Sequence, residues 1–189
     1  MTTSACLVTA SPSLEERKQT APFLLAETAF PDPRLLLVLK NGSSQKFRVS
    51  VVSEDAGEQV HGQLVLDYGY PGTGGLTPFR QTVGLYKTLE PGTLDDGPRN
   101  LDSDWPVETS TGCHNVAFFA SHEFDNDTGC ATDPADFDYV LWTVFVCNAM
   151  DGSCCDPDLP PDEGGCSISC PQFDTDVRCG STPSTGDSP

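Results

Sequence analysis

The segments NVAFFAS (115–121) and YVLWTVFVC (139–147) decide the fold class of this chain. Both are dense in Val, Phe, Tyr or Trp, which favour β-strands because their side chains pack well on a pleated surface. A helical period of 3.6 residues persists nowhere except weakly across residues 14–25, where Pro22 interrupts it. The sequence therefore predicts an all-β protein.

Four earlier segments supply further predicted strands. The run LLLVL (35–39) is continuously apolar, which suits a strand buried on both faces. Residues 46–52 alternate between apolar and polar side chains, which predicts a half-exposed strand, and residues 60–68 and 79–89 show the same pattern. The apolar face of the first of these is formed by Phe47, Val49 and Val51. Six or seven short strands joined by Gly, Pro and Asp turns predict a two-sheet antiparallel sandwich with an immunoglobulin-like outline.

Composition divides the chain into four predicted parts. Residues 1–22 are rich in Ser, Thr, Ala and Pro and predict a flexible tether, and residues 23–149 predict the β-sandwich domain. Residues 150–179 contain almost no apolar side chains, so this acidic, irregular appendage needs disulfides to hold a shape. We expect residues 180–189 to form a disordered tail.

The formal net charge of the 189 residues is −18, and nearly all of it lies in the second half. Residues 95–189 hold 19 acidic residues and two arginines, whereas residues 1–94 hold nine acidic and eight basic residues. Nucleic-acid partners need a Lys/Arg surface that this chain does not supply, so we expect none. No stretch approaches the roughly 18 apolar residues of a membrane-spanning helix.

Eight of the nine cysteines lie in the last 77 residues and predict a framework of four disulfides in an oxidising compartment. A zinc site is the weaker alternative, because no Cys-x-x-Cys pair is present. The connectivity stays open, but a Cys113–Cys130 bond would close a loop of about 17 residues and contribute about 3 kcal/mol. Cys147 would then join the appendage, and the adjacent Cys154 and Cys155 would have different partners. The eight are Cys113, Cys130, Cys147, Cys154, Cys155, Cys166, Cys170 and Cys179.

The ninth cysteine, Cys6, follows the small residues Thr3-Ser4-Ala5. This segment resembles the end of a bacterial lipobox, and the order of features over roughly residues 6–147 resembles small envelope lipoproteins of myxobacteria. The resemblance implies that Cys6 is a lipid-attachment residue and the only membrane anchor, and that the protein is extracytoplasmic, on the outer membrane. The alternative is a secreted protein in which Cys6 is a lone thiol. The resemblance implies no activity.

The loop between the two strongest strands, residues 125–138, is rich in oxygen ligands. It contains five Asp, one Asn and two Thr, and calcium takes six to eight oxygens from such groups. The spacing is not that of an EF-hand. The sequence therefore predicts a calcium site with Asp125, Asp127 and Asp133 as ligands, and the alternative is a polar turn pinned by a Cys130 disulfide.

Catalytic motifs are not evident. There is no Gly-x-Ser-x-Gly, and the Gly-rich segment 69–75 lacks the ending of a phosphate-binding loop, so we do not expect an enzyme. His114 and His122 would lie roughly 26 Å apart along one strand, too far to share an ion, and we expect surface or cap roles for both. The favoured function is a structural or partner-binding envelope module for a protein or glycan. The alternatives are a calcium-dependent glycan- or protein-binding module and a small extracellular hydrolase without a recognisable motif.

Overall fold

The computed structural model describes residues 18–70, 78–148, 154–155, 163, 165, 168–170 and 179. Within these residues the chain forms eight β-strands and one short 3₁₀ turn, Leu94–Asp96. The strands are β1 (Phe23–Phe30), β2 (Leu37–Lys40), β3 (Ser44–Val52), β4 (Val60–Leu66), β5 (Gln81–Leu89), β6 (Arg99–Pro106), β7 (Gly112–Ser121) and β8 (Asp138–Cys147). No helix of the described chain is long and apolar enough to cross a bilayer.

The strands form two sheets, with the orders β1-β3-β6 and β2-β8-β7-β4-β5. This confirms the predicted all-β, two-sheet sandwich with an immunoglobulin-like outline. One pairing departs from the expected antiparallel pattern: β2 runs parallel to β8, with Leu37 opposite Val144. The strand that follows β1 therefore crosses to the edge of the other sheet.

The main core lies between the sheets, and the predicted alternation of β3 builds one side of it. Phe47, Val49 and Val51 are completely buried. The ring of Phe47 lies 4.9 Å from that of Trp142 on the facing β8, in an edge-to-face arrangement. Strand β6 was not predicted, although buried and more exposed side chains alternate along it. The buried side chains are those of Leu101, Ser103 and Trp105.

A strand is present at the run predicted over residues 35–39, but the expectation that it is buried on both faces was wrong. The strand comprises only Leu37–Lys40 and lies at a sheet edge, where β8 is its sole partner in the described sheets. Leu35 is 60% exposed, and only Leu39 of the apolar run is buried. A continuous apolar run does not reveal whether a second strand will cover its far side.

Strand β4 is buried on both faces rather than half-exposed as predicted. Leu64 and Leu66 point into the main core, whereas Val65 belongs to a second apolar cluster on the outer face of the five-stranded sheet. Distant parts of the chain cover this outer face, because Phe137 and Cys179 pack against the second cluster. The other buried members of the second cluster are Tyr68, Phe79, Ala117 and Phe119.

Three disulfides have both of their cysteines among the described residues, and Cys155 is disulfide-bonded as well. The expected Cys113–Cys130 bond is wrong, because Cys113 bonds to Cys170 and Cys130 to Cys179. Cys113 lies near the start of β7, whereas Cys130 follows the far end of that strand. Cys154 bonds to Cys147, so Cys154 and Cys155 are not joined to each other, as expected. The observed pairs are Cys113–Cys170, Cys130–Cys179 and Cys147–Cys154. Cys166 and Cys6 lie outside the described residues.

Within the range predicted as a tether, Gln19 and Thr20 contact the sandwich. Gln19 forms a β-bridge with Asp55, and the backbone N–H of Thr20 donates to the carbonyl of Glu54 over 2.7 Å. These bonds place the beginning of the described chain against the β3–β4 loop.

Candidate functional site: the acidic loop end

Three loops meet at one end of the sandwich because β3, β5 and β7 all end there. The loops are residues 53–59, 90–98 and 122–137, and we call them together the loop end. They contain eleven acidic residues and no lysine or arginine: Glu54, Asp55, Glu58, Glu90, Asp95, Asp96, Glu123, Asp125, Asp127, Asp133 and Asp136. A buried set of charged residues beneath this surface, namely Asp55, Arg99, His122 and Asp136, is called here the loop-end network.

Asp55 is completely buried and connects the first two loops. Its carboxylate accepts hydrogen bonds from the hydroxyl of Ser53 and from the backbone N–H of Gly92, the latter over 2.7 Å. Its Oδ2 also lies 2.7 Å from Nη2 of Arg99. Burial by itself would raise the pKa of Asp55, but the hydrogen bonds and the charge of Arg99 outweigh burial and lower the pKa. The carboxylate is therefore ionised.

His122 connects the third loop to the first. Its side chain is 2% exposed, with Nδ1 2.7 Å from Oδ1 of Asp136 and Nε2 3.3 Å from Oδ1 of Asp55. Ionised carboxylates only accept hydrogen bonds, so both contacts require a proton on each ring nitrogen. His122 can therefore donate to both carboxylates at once only as an imidazolium ion.

The surface or cap role expected for His122 was wrong, because its partners are a carboxylate in another loop and one 14 residues further along its own loop.

Arg99 lies directly beneath Gly92. Its Nη1 donates to the carbonyl of Glu90 over 2.7 Å. A Cβ atom on residue 92 would come within 2.7 Å of Nη1 and 2.8 Å of Cζ, so the close approach of the guanidinium requires glycine there. The sequence analysis missed Arg99, although its position as one of only two basic residues in the acidic half was an available signal.

A cavity of about 370 Å³ opens between the segment at Gln19 and the third loop. His122 reaches its wall from the loop-end network. Four carboxylates line the cavity, those of Glu58, Glu123, Asp133 and Asp136. The cavity is therefore suited to a positively charged or hydrogen-bond-donating group.

His114, at the opposite end of the sandwich, is also buried rather than at the surface as expected. Its Nδ1 lies 3.1 Å from both carboxylate oxygens of Asp67, and its Nε2 lies 2.9 Å from the carbonyl of Ser110. Burial disfavours the charged ring, but the hydrogen bonds to Asp67 and Ser110 outweigh it and raise the pKa of His114. His114, which lies on β7, therefore connects Asp67 of the β4–β5 loop with Ser110 of the β6–β7 loop.

The predicted calcium ligands form hydrogen bonds within their own loop. Oδ1 of Asp125 accepts from the backbone N–H groups of Asp127 and Thr128, at 3.1 and 2.7 Å, and from the hydroxyl of Thr128 at 2.8 Å. The bonds from Thr128 lower the pKa of Asp125. Oδ1 of Asp133 accepts a hydrogen bond from the backbone N–H of Ala135. In the described residues, no three His, Cys, Asp or Glu side chains form a group that could hold a metal ion. Calcium binding stays a prediction.

An aromatic patch, made of the exposed Tyr86 and the half-buried His61 and Phe124, borders the loop end. Gly62 pairs with Lys87 and Leu64 with Val83, so three residues of β5 bulge opposite Gln63. The bulge contains Tyr86, which is 52% exposed. Its ring centroid lies 5.3 Å from that of His61 and 6.2 Å from that of Phe124.

The fold and the loop end together define an immunoglobulin-like β-sandwich with cross-linked loops at one end. No protein-family model and no curated protein matches the chain. A CARDB domain from Pyrococcus furiosus, solved in complex with di-metal ions, is 10% identical over 71% of this chain and 96% of that chain, with a TM-score of 0.38. A chitin-binding domain from Burkholderia pseudomallei is 14% identical over 60% of this chain and 57% of that chain, with a TM-score of 0.31. Similarities this low carry no argument about function.

Proposed function

We propose that the protein is an extracytoplasmic, non-enzymatic binding module that engages its partner through the loop end. The observation that carries the proposal is the contact of His122 with Asp55, which makes separate loops one connected surface. A rigid scaffold that fixes its loops in advance lowers the conformational entropy lost on binding. The three disulfides support an oxidising compartment outside the cytoplasm.

The histidines favour binding over catalysis. Both ring nitrogens of His114 and of His122 face hydrogen-bond acceptors, so neither ring is placed to take a proton from a substrate. The third histidine, His61, has its Nδ1 3.1 Å from the hydroxyl of Thr88. Among the contacts of the described residues, no serine or cysteine side chain is paired with a histidine as a nucleophile would be.

The partner proposed is a protein surface or segment that carries Lys or Arg. Eleven acidic residues and no lysine or arginine in the three loops give a negative potential that attracts cationic groups and repels nucleic acid and anionic lipids. Since these carboxylates are mostly at the surface, the attraction weakens with ionic strength.

A decalysine peptide tests this proposal. The triple variant Glu58→Gln, Glu123→Gln, Asp133→Asn removes three exposed charges from the loop end, and the matched control Glu27→Gln, Asp104→Asn, Glu108→Gln removes three exposed charges elsewhere. We expect the loop-end variant to bind about tenfold more weakly at low salt and the control to bind within about twofold of the wild type. Equal losses in both variants, or no binding by the wild type, would overturn the proposal.

The aromatic patch favours a second candidate, binding of a neutral glycan. An exposed ring held beside two others offers a stacking surface for a pyranose ring, with polar groups around it for hydroxyl groups. Titration with a neutral oligosaccharide such as cellohexaose should show binding that Tyr86→Ala abolishes. The control Tyr70→Ala, at the other end of the sandwich, should keep it. If Tyr70→Ala removes binding and Tyr86→Ala preserves it, the aromatic patch is excluded as the glycan-binding site.

Anchoring is proposed through a lipid on Cys6, on the basis of Thr3-Ser4-Ala5-Cys6. The intact mass of the native protein from a membrane fraction should include acyl chains, and Cys6→Ala should leave the membrane fraction. An unmodified Cys6 in protein purified from membranes would contradict the anchor.

A further inference from the structure

The contact between His122 and Asp55 depends on a proton. We propose that the protonated ring of His122 holds loops 53–59 and 122–137 together, and that its deprotonation opens this junction and loosens the loop end. The inference concerns regulation of the same surface and rests on the proposed function for its biological meaning, although the junction itself can be tested without a partner.

The geometry identifies which contact is lost. A neutral imidazole has one N–H, and the shorter contact, from Nδ1 to Asp136 at 2.7 Å, retains it better than the 3.3 Å contact from Nε2 to Asp55. The lone pair of Nε2 then faces a carboxylate oxygen, and two acceptors repel each other. Asp136 lies in the same loop as His122, whereas Asp55 lies in another loop. Deprotonation therefore breaks the bond between loops and spares the bond within one.

The remaining ties of Asp55 do not depend on this proton. Its carboxylate keeps Arg99 at 2.7 Å and the N–H of Gly92 at 2.7 Å, so loops 53–59 and 90–98 stay joined. The third loop also stays attached elsewhere, because the side-chain amide of Gln63 donates to the carbonyl of Gly129. The change is therefore a local opening rather than unfolding of the loop end.

Charged groups surround His122 from four elements. Those around the cavity and the network are carboxylates from its own loop and from loop 53–59, together with two bases, Arg99 on β6 and His61 on β4. Burial and the charge of His122 both lower the pKa of His61, so at neutral pH His61 adds little positive charge. The carboxylates are Asp136, Glu123, Asp133, Asp55 and Glu58. Carboxylates therefore outnumber the basic groups around His122.

Amide hydrogen exchange of the full chain, followed by NMR between pH 5.5 and 8.5, tests the junction without a ligand. The reporting amides are those of Glu58 and Thr132, which donate to backbone carbonyls within loops 53–59 and 122–137, the two loops that the junction holds together. The reference amides are those of Gly42 and Val107, which donate to backbone carbonyls at the other end. Ring ¹³C shifts record the titration of His122 in the same samples.

As His122 loses its proton, protection of the reporting amides should fall at least tenfold relative to the reference amides. His122→Gln should remove this pH dependence, and the matched controls His61→Gln and His114→Gln should keep it. Constant relative protection through the titration of His122 would overturn the proposal, as would a ring that does not titrate in this range. If His122→Gln does not fold, the wild-type protein alone still tests the proposal, because the protection of its amides can be compared with the ring shifts of His122 at each pH. A failure of decalysine binding would leave this result unaffected, so the two proposals fail separately.

Discussion

Nε2 of His122 lies 3.3 Å from Oδ1 of Asp55, although the two residues are 67 positions apart. One belongs to the loop that follows β7 and the other to the loop that follows β3. Both side chains are buried, and in such surroundings a fully paired polar network is strong whereas an unpaired member is costly. The contact therefore couples the structure of two surface loops to buried charges.

Removing the charge of Asp55 should destabilise the protein strongly. Asp55→Asn leaves Arg99 largely buried without its ionic partner, and breaking a buried pair in this way costs about 3–5 kcal/mol. Asp102→Asn is the matched control, because Asp102 pairs with Lys46 and Lys87 at 3.5 Å in partly exposed positions. The control should cost about 0–1 kcal/mol. Urea unfolding measures the free energy of unfolding of both variants. Similar losses in the two would show that the buried Asp55–Arg99 pair stabilises the protein no more than the exposed pairs of Asp102 do.

Gly92→Ala should also weaken the loop-end network. The added methyl group would meet the guanidinium of Arg99, which cannot move away without losing Asp55 and the carbonyl of Glu90. Overpacking of this kind costs about 1–3 kcal/mol. Gly97→Ala is the control: it has open space but a φ of +70°, and should cost about 1 kcal/mol. A neutral Gly92→Ala in thermal unfolding would mean that Arg99 has room to shift.

The contribution of His114 to stability should decrease as the pH rises. Its pKa is raised in the folded protein, so folding takes up a proton, and the stabilisation is complete below the unfolded pKa of about 6.5. It is then lost as the pH rises through the higher folded pKa. The difference in unfolding free energy between the wild type and His114→Gln should therefore be largest near pH 5.5 and smallest near pH 9. A difference in unfolding free energy that grows with pH would contradict a raised pKa of His114 in the folded protein.

Calcium binding by residues 125–138 is tested by thermal unfolding in millimolar calcium and in chelator at matched ionic strength. The sequence predicts a stabilisation of about 2.7 kcal/mol when calcium is present at 100 times its dissociation constant. Asp125→Ala and Asp133→Ala should remove the response. Equal melting temperatures would contradict the calcium site and leave Asp125 with its turn hydrogen bonds only.

Local features of the fold could be predicted because they depend on neighbouring residues. The alternation around Phe47, Val49 and Val51 fixes one face of β3, and the aromatic and β-branched composition of residues 115–121 and 139–147 marks β7 and β8. These patterns indicate where a strand lies and which of its faces packs against the core, and they do not depend on which strand lies opposite.

Features that depend on distant residues could not be predicted in this way. The outer side of Val65 is buried because Phe79 and Phe119, from other parts of the chain, belong to the same cluster. Likewise, nothing near His122 in the sequence indicates that Asp55 will lie beside its ring. The eleven loop carboxylates were visible as an acidic half, but their gathering at one end follows from strand order alone.

A double-mutant cycle on Asp55 and His122 tests the central claim most directly, namely that this pair connects the loops of the loop end. Unfolding free energies of Asp55→Asn, His122→Gln and the double variant, measured in urea at pH 6, give the coupling energy of the pair. We predict a coupling of about 1–3 kcal/mol, whereas a reference cycle of His122→Gln with Asp102→Asn should be additive. Additivity of Asp55→Asn and His122→Gln within about 0.5 kcal/mol would contradict the account.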